Sequence, residues 1–253
     1  MKKQLVLNIF FILLIAGIFI ILINIFWKTI ENFESNIKMY VITLKHPDRI
    51  SNIEKQEKKI DAKINIFDAV KGDLLDTNEL YSSGEISDNY KNANKKDKRV
   101  IGCFLSHLKL LEKIKSDNKS GYTIIFEDDI KILSEDFMKQ VDTIICNMDN
   151  TNFDLIFLGN LYSNKGEQLI DNIYKINKDE HLYGTHAYIV NNSNIDKILK
   201  HITIVDMPID GKYEALAMEN ILDIFLINPT IVDQQGDDYL PSNINTLNIE
   251  TFI

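Results

Sequence analysis

The sequence predicts an α/β fold for most of the chain. From residue 39 onward, short apolar runs alternate with amphipathic stretches, which is typical of strands and helices that follow one another. The chain has 253 residues, of which 45% are hydrophobic and 26% charged, enough for one ordinary domain and too apolar for disorder. We see no internal repeat and no second domain boundary, and therefore assign residues 39–253 to a single domain.

The predicted elements follow from local patterns. Runs rich in branched and aromatic residues predict strands over 39–44, 64–70, 122–126, 154–159, 186–190, 223–227 and 229–232. Apolar residues at helical spacing, or capping signals, predict helices over 47–60, 100–114, 135–147 and 192–202. The polar stretch 80–99 ends in a basic cluster of Lys95, Lys96, Lys98 and Arg99. We interpret this stretch as a solvated loop, or alternatively as a mobile lid whose cations meet a phosphorylated ligand.

A hydrophobic segment precedes the domain. Residues 5–27 carry no charge and end in the bulky residues Ile25, Phe26 and Trp27. As a helix this segment would be roughly 34 Å long at about 1.5 Å per residue, enough to cross a hydrocarbon core about 30 Å thick. It is longer than the apolar part of a cleavable signal peptide and lacks small residues at its end. The sequence therefore predicts a transmembrane anchor over 5–27.

The charges around this segment predict its orientation. Lys2 and Lys3 precede it, while Lys28 is soon followed by Glu31 and Glu34. Positive residues favour the cytoplasmic side, so we expect a single-pass membrane protein with a cytoplasmic N-terminus. Residues 28–38 are then a short polar stem between the anchor and the domain.

Charge and cysteine content exclude several classes of protein. With 28 Lys and Arg against 37 Asp and Glu, the net charge is −9, which argues against a nucleic-acid partner. The two cysteines, Cys103 and Cys146, are too few for a disulfide framework or a Cys-rich zinc site. The sequence contains no glycine-rich phosphate loop, which removes P-loop ATPases and NAD enzymes from the leading interpretations.

Three consecutive acids at the end of a predicted strand are the strongest chemical signal. Glu127, Asp128 and Asp129 directly follow the run 122–126, and ligands of α/β sheets bind beyond the carboxyl ends of strands. If the backbone stays extended, Glu127 and Asp129 point the same way. Two converging carboxylates need a proton or a cation between them, and Mg²⁺ or Mn²⁺ would also neutralise a diphosphate leaving group. The alternative is a polar loop that simply follows a strand.

Other candidates are weaker. Ser106 and His107 are adjacent on a helix and diverge by about 100°, so they do not form a catalytic dyad by themselves. We interpret His107 as a helix-surface residue that bonds a neighbouring element. His186 is either a core histidine or a metal ligand, and Gly102 is either a packing glycine or a site of close phosphate approach.

The order of these segments resembles glycosyltransferase family 25, the lipooligosaccharide and collagen β-galactosyltransferase family. The most specific part is a Gly-x-x-x-Ser-His helix over 101–114, followed by the acidic strand end within 124–132. Less specific matches follow in the family's order: 40–49 with Arg49, 67–72, 186–190, the Pro-x-Asp of 208–210, and 235–244.

This resemblance implies a GT-A-like nucleotide-diphospho-sugar transferase fold, with a mixed and mostly parallel sheet flanked by helices. It implies a UDP-sugar donor, commonly UDP-galactose, a divalent metal (Mn²⁺ or Mg²⁺) and transfer with inversion to a hydroxyl of a glycan or glycoprotein. Arg49, Gly102, Ser106, His107 and Glu127 are then expected at the donor site, Glu127 facing the metal or the donor ribose.

The resemblance also suggests the metal ligands and the base. Asp129 would bind the metal directly, with Asp128 and His186 as further candidate ligands. Asp210, in the Pro-x-Asp motif, would take the proton of the acceptor hydroxyl, since direct displacement needs a base. The alternative for Asp210 is a capping residue before Gly211. Two other functions stay open: a sugar-nucleotide or carbohydrate-binding domain without turnover, and a metal-dependent phosphoesterase that uses the same carboxylates.

Overall fold

The computed structural model describes residues 15–23, 37–117, 120–161, 166–176 and 181–235, in two units, Met1–Ile37 and Lys38–Ile253. In the first unit, residues 15–23 are helical. The rest of the predicted anchor 5–27, and residues 28–36 of the predicted stem, lie outside the described residues. Within the described ranges, no helix is both long and apolar enough to span a bilayer.

The described residues from 37 onward contain ten strands. They are β1 (Ile37–Thr43), β2 (Asn65–Asp68), β3 (Tyr122–Glu127), β4 (Ile130–Ile132), β5 (Leu155–Phe157), β6 (Glu167–Ile170), β7 (Ile173–Lys175), β8 (Ala187–Asn191), β9 (Ile224–Ile227) and β10 (Val232–Gln234). Eight of them form one sheet in the order β2-β1-β3-β8-β5-β9-β7-β6, and β4 pairs with β10 in a small antiparallel ribbon.

The large sheet is mixed. β1 and β2 are parallel, as are β5 and β9, whereas β8 runs antiparallel to both of its neighbours, β3 and β5. β7 is antiparallel to β9 and β6, so β3, β5, β6 and β9 share one direction and β7 and β8 oppose it. The predicted α/β class with a mixed sheet is confirmed.

In the described part of the second unit, six α-helices accompany the sheet: α1 (Pro47–Ile60), α2 (Thr77–Ser82), α3 (Lys95–Ser116), α4 (Phe137–Asn147), α5 (Ile195–His201) and α6 (Ile209–Met218). The long helix α3 packs its Phe104, Leu110 and Leu111 into the core beside Ile125 of β3 and Tyr188 of β8. This packing places one face of α3 beside the end of β3, where the acidic residues follow.

The sequence prediction of a loop through residue 99 is wrong at its end. The Asn94 side chain accepts hydrogen bonds from the N–H groups of Lys96 and Asp97, and Asp97 accepts one from the N–H of Asn94. This reciprocal capping starts α3 at Lys95, so the basic cluster lies on the first turns of the helix. The capping signal outweighs the low apolar content that suggested a loop.

The last predicted strand is also displaced. We expected a strand over 229–232, but β10 spans Val232–Gln234 and pairs with β4. Pro229 has no N–H group for a sheet ladder, so pairing starts beyond it.

Candidate functional site

A cavity of about 330 Å³ opens where β1 and β3 end. Its walls come from the ends of these strands, from the segment after β2 and from α3. The lining residues are Ile42, Thr43, Leu44, His46, Ala69, Val70, Lys71, Gly72, Asp73, Arg99, Cys103, Ser106, His107, Glu127 and Asp128. Neighbouring strand ends are where sheets of this class bind ligands, so the cavity is the candidate functional site.

The cavity carries charges of both signs. Lys71 and Arg99 contribute cations, and Arg99 Nε lies 3.5 Å from Asp73 Oδ1. Glu127 and Asp128 contribute carboxylates. A site with both signs suits a ligand that is itself anionic and is accompanied by a cation.

Gly102 and Ser106 hold the 69–73 segment against α3. A Cβ at Gly102 would lie 2.8 Å from both Val70 O and Gly72 N, so only glycine allows this close approach. Ser106 Oγ donates to Gly102 O at 2.6 Å and accepts from Val70 N at 2.8 Å. Both residues were predicted at the donor site. Ser106 lines the cavity, whereas Gly102 shapes it from behind.

His107 is buried, contrary to the expectation of a helix-surface residue. Its Nδ1 lies 2.8 Å from the hydroxyl of Tyr188, and its Nε2 lies 3.4 Å from Oε1 of Glu127. The same carboxylate oxygen accepts a 2.6 Å hydrogen bond from Thr185 Oγ1. Burial alone would raise the pKa of Glu127, but the hydrogen bonds and charge of His107 and the bond from Thr185 hold it below its ordinary value.

Glu127 and Asp129 do not both line the cavity, although an extended backbone was expected to point them the same way. β3 ends at Glu127, and the next two residues form a turn, so Asp128 lines the cavity beside Glu127 while Asp129 lies outside its lining. Arg49 is buried between the two aspartates. Its Nη1 lies 3.4 Å from Asp128 Oδ1 and 3.1 Å from Asp129 Oδ2. Arg49, expected at the donor, therefore supports the acidic turn from behind.

Within the described ranges, the buried carboxylate of Asp129 has one oxygen without a hydrogen-bond donor and a raised pKa. Its Oδ2 accepts a 2.9 Å hydrogen bond from Gln234 Nε2, whereas Oδ1 is buried and meets no hydrogen-bond donor among the described residues. Burial and the nearby charge of Glu127 raise the pKa of Asp129 to about 6, against the opposing effects of Gln234 and Arg49. A buried carboxylate oxygen without a donor is an observation that fits a cation beside it.

His186 lies behind Glu127 instead of facing the cavity. Its carbonyl oxygen accepts the Glu127 N–H, and its buried ring packs on Gly159 with Nε2 3.4 Å from Val232 O. Burial lowers the pKa of His186, so the ring is neutral near pH 7. The structure thus does not bring His186 to the cavity wall where Asp128 lies.

Asp210 lies near the start of α6, outside the cavity lining. Its Oδ2 accepts the N–H of Gly184 at 3.0 Å, and its Oδ1 accepts the N–H of Gly211 at 2.9 Å. Burial raises the pKa of Asp210, although these two bonds oppose the change. Because Thr185 follows Gly184 and donates to Glu127, Asp210 fixes a segment that reaches the cavity.

Two of the cavity's chemical groups are not among the site residues that the sequence predicted. Lys71 lies in the loop that Gly102 and Ser106 hold, and Cys103 precedes His107 by one helical turn. The spacing of Cys103 and His107 could have indicated a shared helix face, but nothing local indicated that Glu127 would face them. Cys103, His107 and Glu127 are the three residues, within the described part of the chain, whose potential metal-ligating atoms all lie within 4.8 Å of one another.

Comparison with solved structures gives relatives of low identity. The protein A197 from STIV matches with a TM-score of 0.41 and 11% identity, over 80% of this chain and 87% of that one. An apo UDP-glucose pyrophosphorylase matches with a TM-score of 0.40 and 11% identity, over 76% and 90%. A glycosyltransferase involved in the glycosylation of the major capsid of PBCV-1 matches with a TM-score of 0.33 and 8% identity, over 65% and 63%.

A search of curated proteins found no match. Comparison with protein families gives a match to glycosyltransferase family 25, described as LPS biosynthesis protein, over residues 36–212. The matched region contains α3, the acidic turn and Asp210, and it spans more than half of the sequence. The chain therefore belongs to glycosyltransferase family 25.

Proposed function

We propose that this glycosyltransferase binds a UDP-sugar in the cavity and transfers the sugar, with inversion, to a hydroxyl of a glycan or glycoprotein. The observation that supports the proposal most is that the cavity lining contains both cations, Lys71 and Arg99, and carboxylates, Glu127 and Asp128. A diphosphate flanked by a sugar needs cations for its phosphates and acceptors for its hydroxyls. The size of the cavity suits a small ligand.

In this proposal the diphosphate contacts Lys71 and Arg99. Arginine offers two parallel N–H groups to phosphate oxygens, and a hydrogen bond to a charged group contributes about 1.5–3 kcal/mol. Asp73 lies 3.5 Å from Arg99 Nε and orients its guanidinium. The apolar side chains of Ile42, Leu44 and Val70 line the same cavity and offer surface to the nucleoside.

A divalent metal, Mn²⁺ or Mg²⁺, fits the acidic turn. Asp128 lines the cavity, and Asp129 behind it has the buried oxygen without a donor. Such ions are commonly held by one or two carboxylates together with substrate phosphates, and the charge they supply neutralises a leaving diphosphate. Asp128 and Asp129 would hold the ion, with Arg49 fixing both carboxylates. His186 is left out of this set because its Nε2 faces Val232 O and its ring does not line the cavity.

Asp210 is the proposed base for the acceptor hydroxyl. A pKa raised by burial favours a carboxylate that takes up a proton, and the N–H groups of Gly184 and Gly211 fix its direction. Galactose is the proposed sugar on the strength of the family resemblance. The apolar segment 5–27 supports a bilayer anchor with the N-terminus in the cytoplasm.

Calorimetric titration of the full chain tests the donor site. We expect binding of UDP-sugars in the presence of Mn²⁺, with UDP-galactose the tightest of a panel that includes UDP-glucose. Arg99→Gln should weaken binding by about 10-fold or more, because a charged phosphate contact is lost. Lys96→Gln is the matched control, since it removes the same charge from the exposed side of the same helix. Equal weakening in both variants, or no UDP-sugar binding at all, would contradict the proposal.

A further inference from the structure

We propose that Cys103, His107 and Glu127 form a zinc-binding site in the wall of the cavity. The ligand set differs from the Asp128–Asp129 set proposed for Mn²⁺ or Mg²⁺. The inference goes beyond the proposed sugar transfer and does not depend on it.

The backbone brings the three side chains to one point. Cys103 and His107 are four residues apart on α3 and share a helix face, and Glu127 faces them from the end of β3. Their ligand atoms all lie within 4.8 Å of one another, and His107 Nε2 is 3.4 Å from Glu127 Oε1. Ligands around a tetrahedral zinc ion lie about 3.3–3.8 Å apart, given bonds of about 2.0–2.3 Å. Small side-chain rotations are therefore enough to close the site.

The chemistry of the three groups selects zinc over the harder ions. Zinc binds thiolate, imidazole and carboxylate, whereas Mg²⁺ prefers oxygen ligands alone. On binding, the Cys103 thiol and Nε2 of His107 release the protons they carry to solvent, and the sulfur and the Nε2 lone pair then bond the ion. Burial, and after it the nearby charges of Glu127, Asp210 and Asp129, raise the pKa of the Cys103 thiol, so a bound cation is needed to stabilise the thiolate.

The surrounding residues already orient two of the ligands. The hydroxyl of the fully buried Tyr188 lies 2.8 Å from His107 Nδ1, so the N–H at Nδ1 can donate a hydrogen bond to Tyr188 while Nε2 is left for the ion. Thr185 Oγ1 holds Glu127 Oε1 at 2.6 Å. Such outer partners fix the ring orientation and raise the basicity of metal ligands.

The fourth coordination position is open to the cavity. All three ligands line the cavity, and the described residues supply no fourth ligand to the group. Three protein ligands with one open position is the arrangement of zinc sites that bind a water or a ligand oxygen. A molecule in the cavity would therefore reach the ion directly.

Cobalt, which replaces zinc and absorbs light, provides the direct test. We expect one equivalent of Co²⁺ to give the full-length protein a thiolate-to-cobalt charge-transfer band, and zinc to remove it by displacement. The band should disappear in Cys103→Ser and persist in Cys146→Ser, in which the exposed cysteine is replaced. A band that survives Cys103→Ser, or that never forms in the unaltered protein, would overturn the site.

A second variant guards against a folding artefact. Tyr188→Phe keeps the ring and removes the hydroxyl that meets His107, so zinc affinity, measured by competition with a chromophoric chelator, should fall about 10–100-fold. The band itself should remain, because all three ligands are present. Unchanged zinc affinity in Tyr188→Phe would contradict the proposed role of Nε2. UDP-sugar titration of the zinc-free protein with Mn²⁺ separates this inference from the proposed function, since either can fail alone.

Discussion

The side chain of Ser106 accepts a hydrogen bond from the backbone N–H of Val70, 2.8 Å away. The same hydroxyl donates to Gly102 O, so one side chain connects a turn of α3 to the loop that carries Lys71. Ser106 thus positions the wall of the cavity, and its hydroxyl is engaged both as a donor and as an acceptor. Ser106 shapes the site without a free hydroxyl for chemistry.

Ser106→Ala is expected to destabilise the protein and loosen the loop. The N–H of Val70 would lose its acceptor, which costs about 1–3 kcal/mol in the free energy of unfolding. Ser116→Ala is the matched control on the same helix, because the exposed Ser116 hydroxyl donates to Lys113 O and bonds no other described residue. Urea denaturation measures both variants. Equal stability of the two would contradict the structural role of Ser106.

Gly102→Ala should disturb the cavity more than a glycine substitution on another helix. The new Cβ would lie 2.8 Å from two backbone atoms of the loop, which cannot yield as a flexible side chain would. A Cβ at Gly211 of α6 would have the side-chain atom Met207 Sδ as its nearest neighbour, at 3.8 Å. Gly211→Ala should therefore leave the stability of the protein unchanged or raise it by up to about 1 kcal/mol. The two variants are compared by their melting temperatures and their affinities for UDP. If Gly102→Ala changed neither quantity, the loop would be able to shift freely and the close packing would not matter.

Asp210→Asn separates proton transfer from loop support. If Asp210 is the base, UDP release in the presence of acceptor should fall by about 10²–10⁴-fold with little change in UDP affinity. The amide can accept only one of the two N–H groups that Asp210 now accepts, so a small loss of stability is expected as well. Full activity with a lowered melting temperature would leave Asp210 as a positioning residue for Gly184. In that case Asp206 and Glu214 are the next candidates.

A half-buried ion pair outside the cavity lining gives a pH-dependent prediction. Asp154 is buried and lies 2.5 Å from Lys197 Nζ. Burial lowers the pKa of Lys197, but the hydrogen bond and charge of Asp154 raise it above its ordinary value overall. The stabilisation is therefore complete below about pH 10.5 and is lost as the pH rises through the higher pKa of the folded state.

Lys197→Met should accordingly lower stability at pH 7. We expect a loss of about 1–3 kcal/mol, less than a fully buried pair would give, because Lys197 is 37% exposed. Lys200→Met on the exposed side of α5 is the control and should have little effect. Denaturation curves at pH 7 and above about pH 11 measure the difference, which should shrink at the higher pH. A difference that grows with pH would have the wrong sign.

The predicted anchor is tested by extraction. The full chain should stay in the membrane pellet after alkaline carbonate treatment, because residues 5–27 are apolar. Ile12→Lys with Leu14→Lys should release the protein, since each charge at mid-bilayer costs about 2.5–3.5 kcal/mol. Leu74→Lys with Ile204→Lys, at exposed positions of the domain, is the control and should stay in the pellet. Extraction of the unaltered chain would contradict the anchor.

Patterns within single segments were enough for much of the fold. The β-branched runs became β1, β3, β8 and β9, and the apolar spacing of 100–114 became the buried face of α3, because both depend on residues that are neighbours along the chain. The short strands β6 and β7 were missed. All four residues of β6 are exposed and β7 has only three residues, so neither strand carries a readable periodicity, and the pairing of β7 with β9 depends on a partner distant in sequence.

The sequence by itself determined the family motifs, the mixed α/β class and the strand-end position of the three acids. Only the tertiary structure decided what each acid faces: the turn after Glu127 directs Asp128 to the cavity and Asp129 towards Gln234. It also decided that Cys103, 24 residues before Glu127, shares a point in space with it. Side-chain convergence depends on how strands and helices pack against one another, and that packing is set by contacts between distant residues that no local pattern encodes.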